Sequence, residues 1–174
     1  MAATEWWQRG PVPGVHAMLQ PVAHIILQIG ESVHEIVEPL TEAQWNARPA
    51  NVAPVAFHVR HIIGVLDRLF TYARGEQLTD EQFMALRSEA APMVKAYVPH
   101  LLDLLDERID ACLAELKTID AAILGDHRSI GRAKLPSTVI GCLVHGAEHG
   151  MRHVGQLYVT ARIACSQHAS AADS

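Results

Sequence analysis

The chain has 174 residues, 49% of them apolar, with a formal charge of −5 and three cysteines. That length supports a single domain over residues 1–174 with one real core. The scattered Lys and Arg form no basic stripe, no apolar run approaches the roughly 20 residues of a bilayer span, and the odd, widely spaced cysteines lack a CxxC pair, so neither nucleic acid nor membrane is an expected partner and a disulfide framework is disfavoured.

In chain order, residues 1–13 read as an N-terminal extension. Its TEWWQRGPVPG lacks the basic start and continuous apolar core of a signal peptide, which together with the cysteine usage points to a cytoplasmic protein. Apolar residues at helical spacing from Val15 to Val37 predict the first helix, with Pro21 near its start and Pro39 closing it. TEAQWNARPANVA reads as a connection. The second helix begins around Pro54 and runs through VAFHVRHIIGVLDRLFTYA to Gly75. A long connection follows from Glu76 to Pro99; TDEQFMALRSEA opens it with an N-cap and acidic first turn, and Pro92 and Pro99 forbid one long helix. LLDLLDERIDACLAELK forms the third helix. AAILGDHRSIGRAKLPS is then a Gly-containing loop, and the fourth helix starts near Pro136 and Ser137 and continues through TVIGCLVHGAEHGMRHVGQLYVTARI. Residues 166–174, SQHASAADS, read as a flexible tail. Alternating β-branched runs are missing, so the fold class is all-α: a four-helix bundle, in which facing helices can build metal sites from inward side chains.

The fourth helix carries His145, His149 and His153 at four-residue spacing. Positions four apart differ by about 40° in direction, so either adjacent pair can share one ion, whereas His145 and His153 stand about 12 Å apart along the helix. The apolar neighbours Leu143, Val144, Val154, Leu157 and Val159 favour a neutral imidazole, the ligating form. HxxxH alone is weak evidence, because a histidine on an apolar face is usually a packed residue with one hydrogen bond. The second helix adds His58 and His61 on one apolar face, which strengthens the case for an inter-helix metal site. His16, His24, His34, His100, His127 and His168 read as ordinary residues. HGAEH also fits the inverted zinc-protease pattern, with Glu148 activating water, but only Asp173 lies beyond this helix as an acidic ligand. A di-iron bundle is disfavoured because only Glu31 to His34 fits Glu-x-x-His. Arg60, Arg152 and Glu148 read as solvated or interfacial. Gln156, about 60° from His153 and on the His149 side, is the best candidate to line a pocket. Cys112, Cys142 and Cys165 read as packed thiols, and Cys142 lies roughly 10 Å of helix rise from His149.

VAFHVRHIIGVLDRLFTYARG, IGRAKLPSTVIGCLVHGAEHGMRHVGQ and the opening RGPVPG resemble the DinB-like superfamily of metal-binding four-helix bundles, unrelated to the DNA polymerase that shares the name. The resemblance implies His61, His149 and His153 as the ligands, with His58, His145 and Gln156 lining the pocket or supporting the ligands. It further implies zinc or nickel as the divalent metal, often a homodimer, and in some members thiol-dependent transfer or isomerisation with a low-molecular-weight thiol and a small-molecule substrate. Three histidines leave open positions on an ion, the arrangement of catalytic rather than structural zinc. The expected function is therefore a metal-dependent transferase or isomerase, against the alternative of a non-catalytic metal-binding or stress-response module.

Overall fold

The computed structural model describes residues 4–172, with the backbone alone for 168–172; Met1–Ala3, Asp173 and Ser174 lie outside the described residues, as does the side chain of His168. Among the described residues there are six α-helices: α1 (Gln20–Val37), α2 (Glu42–Asn46), α3 (Val55–Ala73), α4 (Asp80–Ser88), α5 (Val98–Leu116) and α6 (Val139–Ala172). The four predicted helices are α1, α3, α5 and α6, and they form the bundle. Helix α6 packs against both α3 and α1, and α5 packs against the same two from the other side.

Each long helix buries one stripe. Ile26, Ile29, Val33 and Val37 of α1, Val55, Val59, Ile62, Leu66 and Phe70 of α3, Leu101, Leu105, Ile109 and Leu116 of α5, and Leu143, Ala147, Val154, Leu157 and Ala161 of α6 meet in one core. Their three- and four-residue spacing keeps them on one helical face. The HGAEHG segment also places two glycines on the packed side of α6. A Cβ at Gly146 would lie 3.2 Å from Leu69 Cβ, and one at Gly150 would lie 2.8 Å from Ile29 Cδ1. Small residues there let α6 approach α3 and α1 at the level of the histidines.

The connections hold more structure than their sequences suggest. In the stretch read as a plain connection, Thr41 and Gln44 form a capping box that starts α2, and Trp45 is buried. The long connection between α3 and α5 contains α4, whose capping box joins Thr79 and Gln82. The segment read as a loop before α6 is instead a hairpin, with β1 (His127–Ile130) antiparallel to β2 (Leu135–Thr138) and Ser129 opposite Pro136. Each strand has only four residues, too few to show alternation, and Pro136 is tolerated because a two-stranded ribbon has only edges. α6 continues to Ala172, past the tail boundary expected at residue 166. Alanines and the absence of Gly or Pro in SQHASAA leave nothing to stop it. At the other end, the Trp6–Gln8 turn lies against α1, where the Trp6 N–H donates to Gln28 Oε1 at 3.1 Å. No helix among the described residues is long and apolar enough to cross a membrane.

Candidate metal centre

The α3 and α6 faces that meet in the bundle bring His61, His149 and His153 together, with one potential ligand atom from each lying within 4.8 Å of the others. His61 Nε2 stands 3.1 Å from His149 Nε2. Two nitrogens each bound about 2.0–2.1 Å from one ion stand roughly 3.1–3.4 Å apart at angles near tetrahedral, so this pair fits a shared divalent cation. Ring centroids of His61 and His153 are 4.3 Å apart, and those of His149 and His153 are 4.9 Å apart. All three side chains are half-buried.

Hydrogen bonds tie two of the rings to neighbouring groups. His61 Nδ1 lies 2.7 Å from Glu89 Oε2. A carboxylate only accepts, so Nδ1 carries a proton, and the neutral ring keeps its lone pair on Nε2. His58 Nδ1 faces His153 Nδ1 at 3.0 Å, and His58 also bonds the backbone of Ala53. One of these two Nδ1 atoms donates to the other. The contact occupies His153 Nδ1, and a ring that donates from Nδ1 keeps Nε2 unprotonated, the form that ligates. His149 differs, because its Nδ1 is buried without a hydrogen-bond partner and its Nε2 faces His61 Nε2.

Electrostatics favour neutral ligands as well. Burial, reinforced by His61, His58 and His149, pushes the His153 pKa down to about 4. Burial also lowers His149, with His61 and His145 adding to it, and lowers His58 against the opposing bond to Ala53. Burial alone would raise Glu89, but hydrogen bonds from His61 and Arg68 outweigh it and hold the carboxyl below the usual range. At neutral pH His149 and His153 are therefore held neutral beside an ionised carboxylate, without the protons that would compete with a metal.

The other predicted residues divide. His58 is buried between His153 and Ala53, one turn before His61. His145 points outward, its side chain 54% exposed and 3.6 Å from Glu148. The physical reason is helical drift: three histidines at four-residue spacing span about 80° of arc, and the first leaves the inner face. Glu148 also pairs with Arg152 on this outer surface, which removes it from the water-activating position of the inverted zinc-protease pattern. Glu31 pairs with Arg9 at 2.9 Å while His34 pairs with Asp106 at 2.8 Å, so the two do not converge on a di-iron site. Gln156 is exposed and lines a groove of about 590 Å³ together with His58, Arg152, Val52, Val159 and Ile163. Cys112 and Cys142 are buried, and burial pushes the Cys112 thiol up to about 12, far from a reactive thiolate. Replacing His145 with alanine should leave the metal content per chain unchanged by elemental analysis, because its ring meets His149 only edge-on, at 5.2 Å between centroids, and hydrogen-bonds no ligand.

Two residues at the centre escaped the sequence reading. Glu89 leaves the end of α4 in a Pro-containing segment with no periodic signal. Arg68 had one: it lies seven residues after His61, two turns along the same face, a charge in an otherwise apolar stripe.

No curated protein matches this chain. A family model described as the DinB superfamily matches residues 27–157, a span that includes every residue of the histidine cluster together with Glu89, His58 and Gln156. The chain therefore belongs to the DinB superfamily, with a three-histidine cluster that could hold a metal ion.

Proposed function

We propose that the protein is a divalent-metal-dependent enzyme, a transferase or isomerase that uses a low-molecular-weight thiol, working as a cytoplasmic homodimer. One observation carries this reading: the cluster has three imidazoles and, among the described residues, no fourth protein ligand. Zinc or nickel suits three nitrogen donors. When bound, such an ion supplies a Lewis acid that stabilises a thiolate over its thiol and lowers the pKa of water. The chain's own residues do the rest. His61, His149 and His153 hold the ion, Glu89 and His58 orient two of those rings, and the groove beyond His58 offers apolar walls with Arg152 and Gln156 to position a small electrophilic substrate. Free, mostly buried cysteines suit a reducing compartment. The exposed Val144 and Tyr158 of α6, which do not line that groove, offer apolar surface for a second copy.

The test is turnover of zinc- and nickel-loaded protein with a panel of low-molecular-weight thiols and electrophiles. Thiol-dependent turnover that disappears on chelation is expected. Stoichiometric metal with no turnover for any pair would contradict the enzyme and favour the metal-binding module, whose ion would tie α3 to α6.

A further inference from the structure

The segment between α4 and α5 delivers a carboxylate that none of the bundle helices supplies. Glu89 is 4% exposed; its Oε2 faces His61 Nδ1 at 2.7 Å and its Oε1 accepts from Arg68 Nη1 at 2.9 Å. A buried ion pair of this kind contributes little net stability, because desolvating both charges offsets their attraction. What it does provide is orientation. Arg68 occupies Oε1, leaving Oε2 for His61, and an ionised carboxylate has no proton to give. The pair fits because position 64 has no side chain: a Cβ at Gly64 would lie 2.5 Å from Arg68 Nη1 and 2.7 Å from Glu89 Oε1. The segment itself is pinned. Asn46 donates from Nδ2 to Met93 O and accepts at Oδ1 from Met93 N–H, each at 2.7 Å, and the Arg60 guanidinium donates to the carbonyls of Ala91 and Pro92.

We propose that Glu89, oriented by Arg68, is a positioning residue that fixes His61 as its Nδ1–H tautomer and so keeps Nε2 free to ligate. The segment carrying it is thereby part of the centre. The consequence for ligation rests on the metal-binding reading above; the tautomer assignment does not.

Glu89→Gln keeps the shape and makes a specific demand. Arg68 still needs an acceptor, so the amide oxygen turns toward Arg68 and the NH2 toward His61. Nδ1 must then accept, and the ring proton moves to Nε2, the ligand atom. Nitrogen-15 NMR of the metal-free proteins should show His61 protonated at Nδ1 in the wild type and at Nε2 in the variant. Zinc titration against a competing chelator should show binding about 10–100-fold weaker in the variant, the range for lost outer-sphere hydrogen bonds. A His61 that stays Nδ1-protonated in Glu89→Gln, with wild-type zinc affinity, would overturn the proposal. If that variant does not fold, Asn46→Ala serves, since it loosens the segment without altering Glu89, Arg68 or His61. Mixed His61 tautomers and weaker zinc binding are then expected, and a pure Nδ1–H ring with unchanged affinity would overturn the assignment. Wild-type protein that binds no zinc would defeat the metal-centre reading, while the NMR comparison would still decide the tautomer.

Discussion

Replacing His153 with alanine should abolish metal retention. The substitution removes a donor whose second nitrogen is already committed to His58 and whose pKa of about 4 keeps it neutral and ready to bind. An outer hydrogen-bond partner is worth about 10–100-fold in affinity, and losing a ligand outright should exceed that. His149→Ala should do the same, since its Nε2 faces that of His61 at 3.1 Å. Metal content after desalting, with His145→Ala as the control, is the measurement. Full retention in His153→Ala with loss in His145→Ala would reverse the register and restore the inverted zinc-protease pattern.

Chelation at neutral pH should lower the melting temperature of the wild type, with an increment that shrinks as pH falls. An ion bound only by the folded chain stabilises it by mass action, about 2.7 kcal/mol with free ion at roughly a hundred times Kd. For a chain of this size that corresponds to roughly 5–11 °C. Protons compete for the same imidazoles, so the increment fades through the histidine range. The metal-free protein should weaken in the same direction. His153, His149 and His58 all have lowered pKa values in the folded chain, so the unfolded state binds more protons below the ordinary value of 6.5. Their contribution is present above about 6.5 and is lost as pH falls toward the folded value, about 4 for His153. In His61→Ala the chelator effect should nearly vanish, because the link between α3 and α6 is cut. Identical melts of wild type and His61→Ala, with and without chelator in adequate metal, would remove the three-histidine centre.

What could be read from the sequence, and what could not, follows from the range of the forces involved. The periodic stripe placing His149 beside His153, and the one-turn spacing of His58 and His61, are properties of single helices, so the residues alone show which histidines share a face. The choice of His149 and His153 over His145 needed the family resemblance, and the structure supplies its geometric reason in the outward drift of His145. Capping boxes at Thr41 and Thr79 were also local, although only the second was read as a helix start. Glu89 was invisible because its position depends on Asn46, Arg60 and Arg68, residues 21 to 47 positions away from the atoms they hold. The hairpin was missed because four-residue strands carry no usable alternation, and the length of α6 because small polar residues are as compatible with a helix as with a tail.

The most direct test of the centre is the metal content of the wild-type chain, loaded with zinc or nickel at neutral pH, freed of unbound ion by gel filtration, and measured by elemental analysis. A centre built from His61, His149 and His153 predicts one ion per chain, released by acidification through the imidazole range. Loaded protein that emerges folded, monodisperse and free of metal would contradict it.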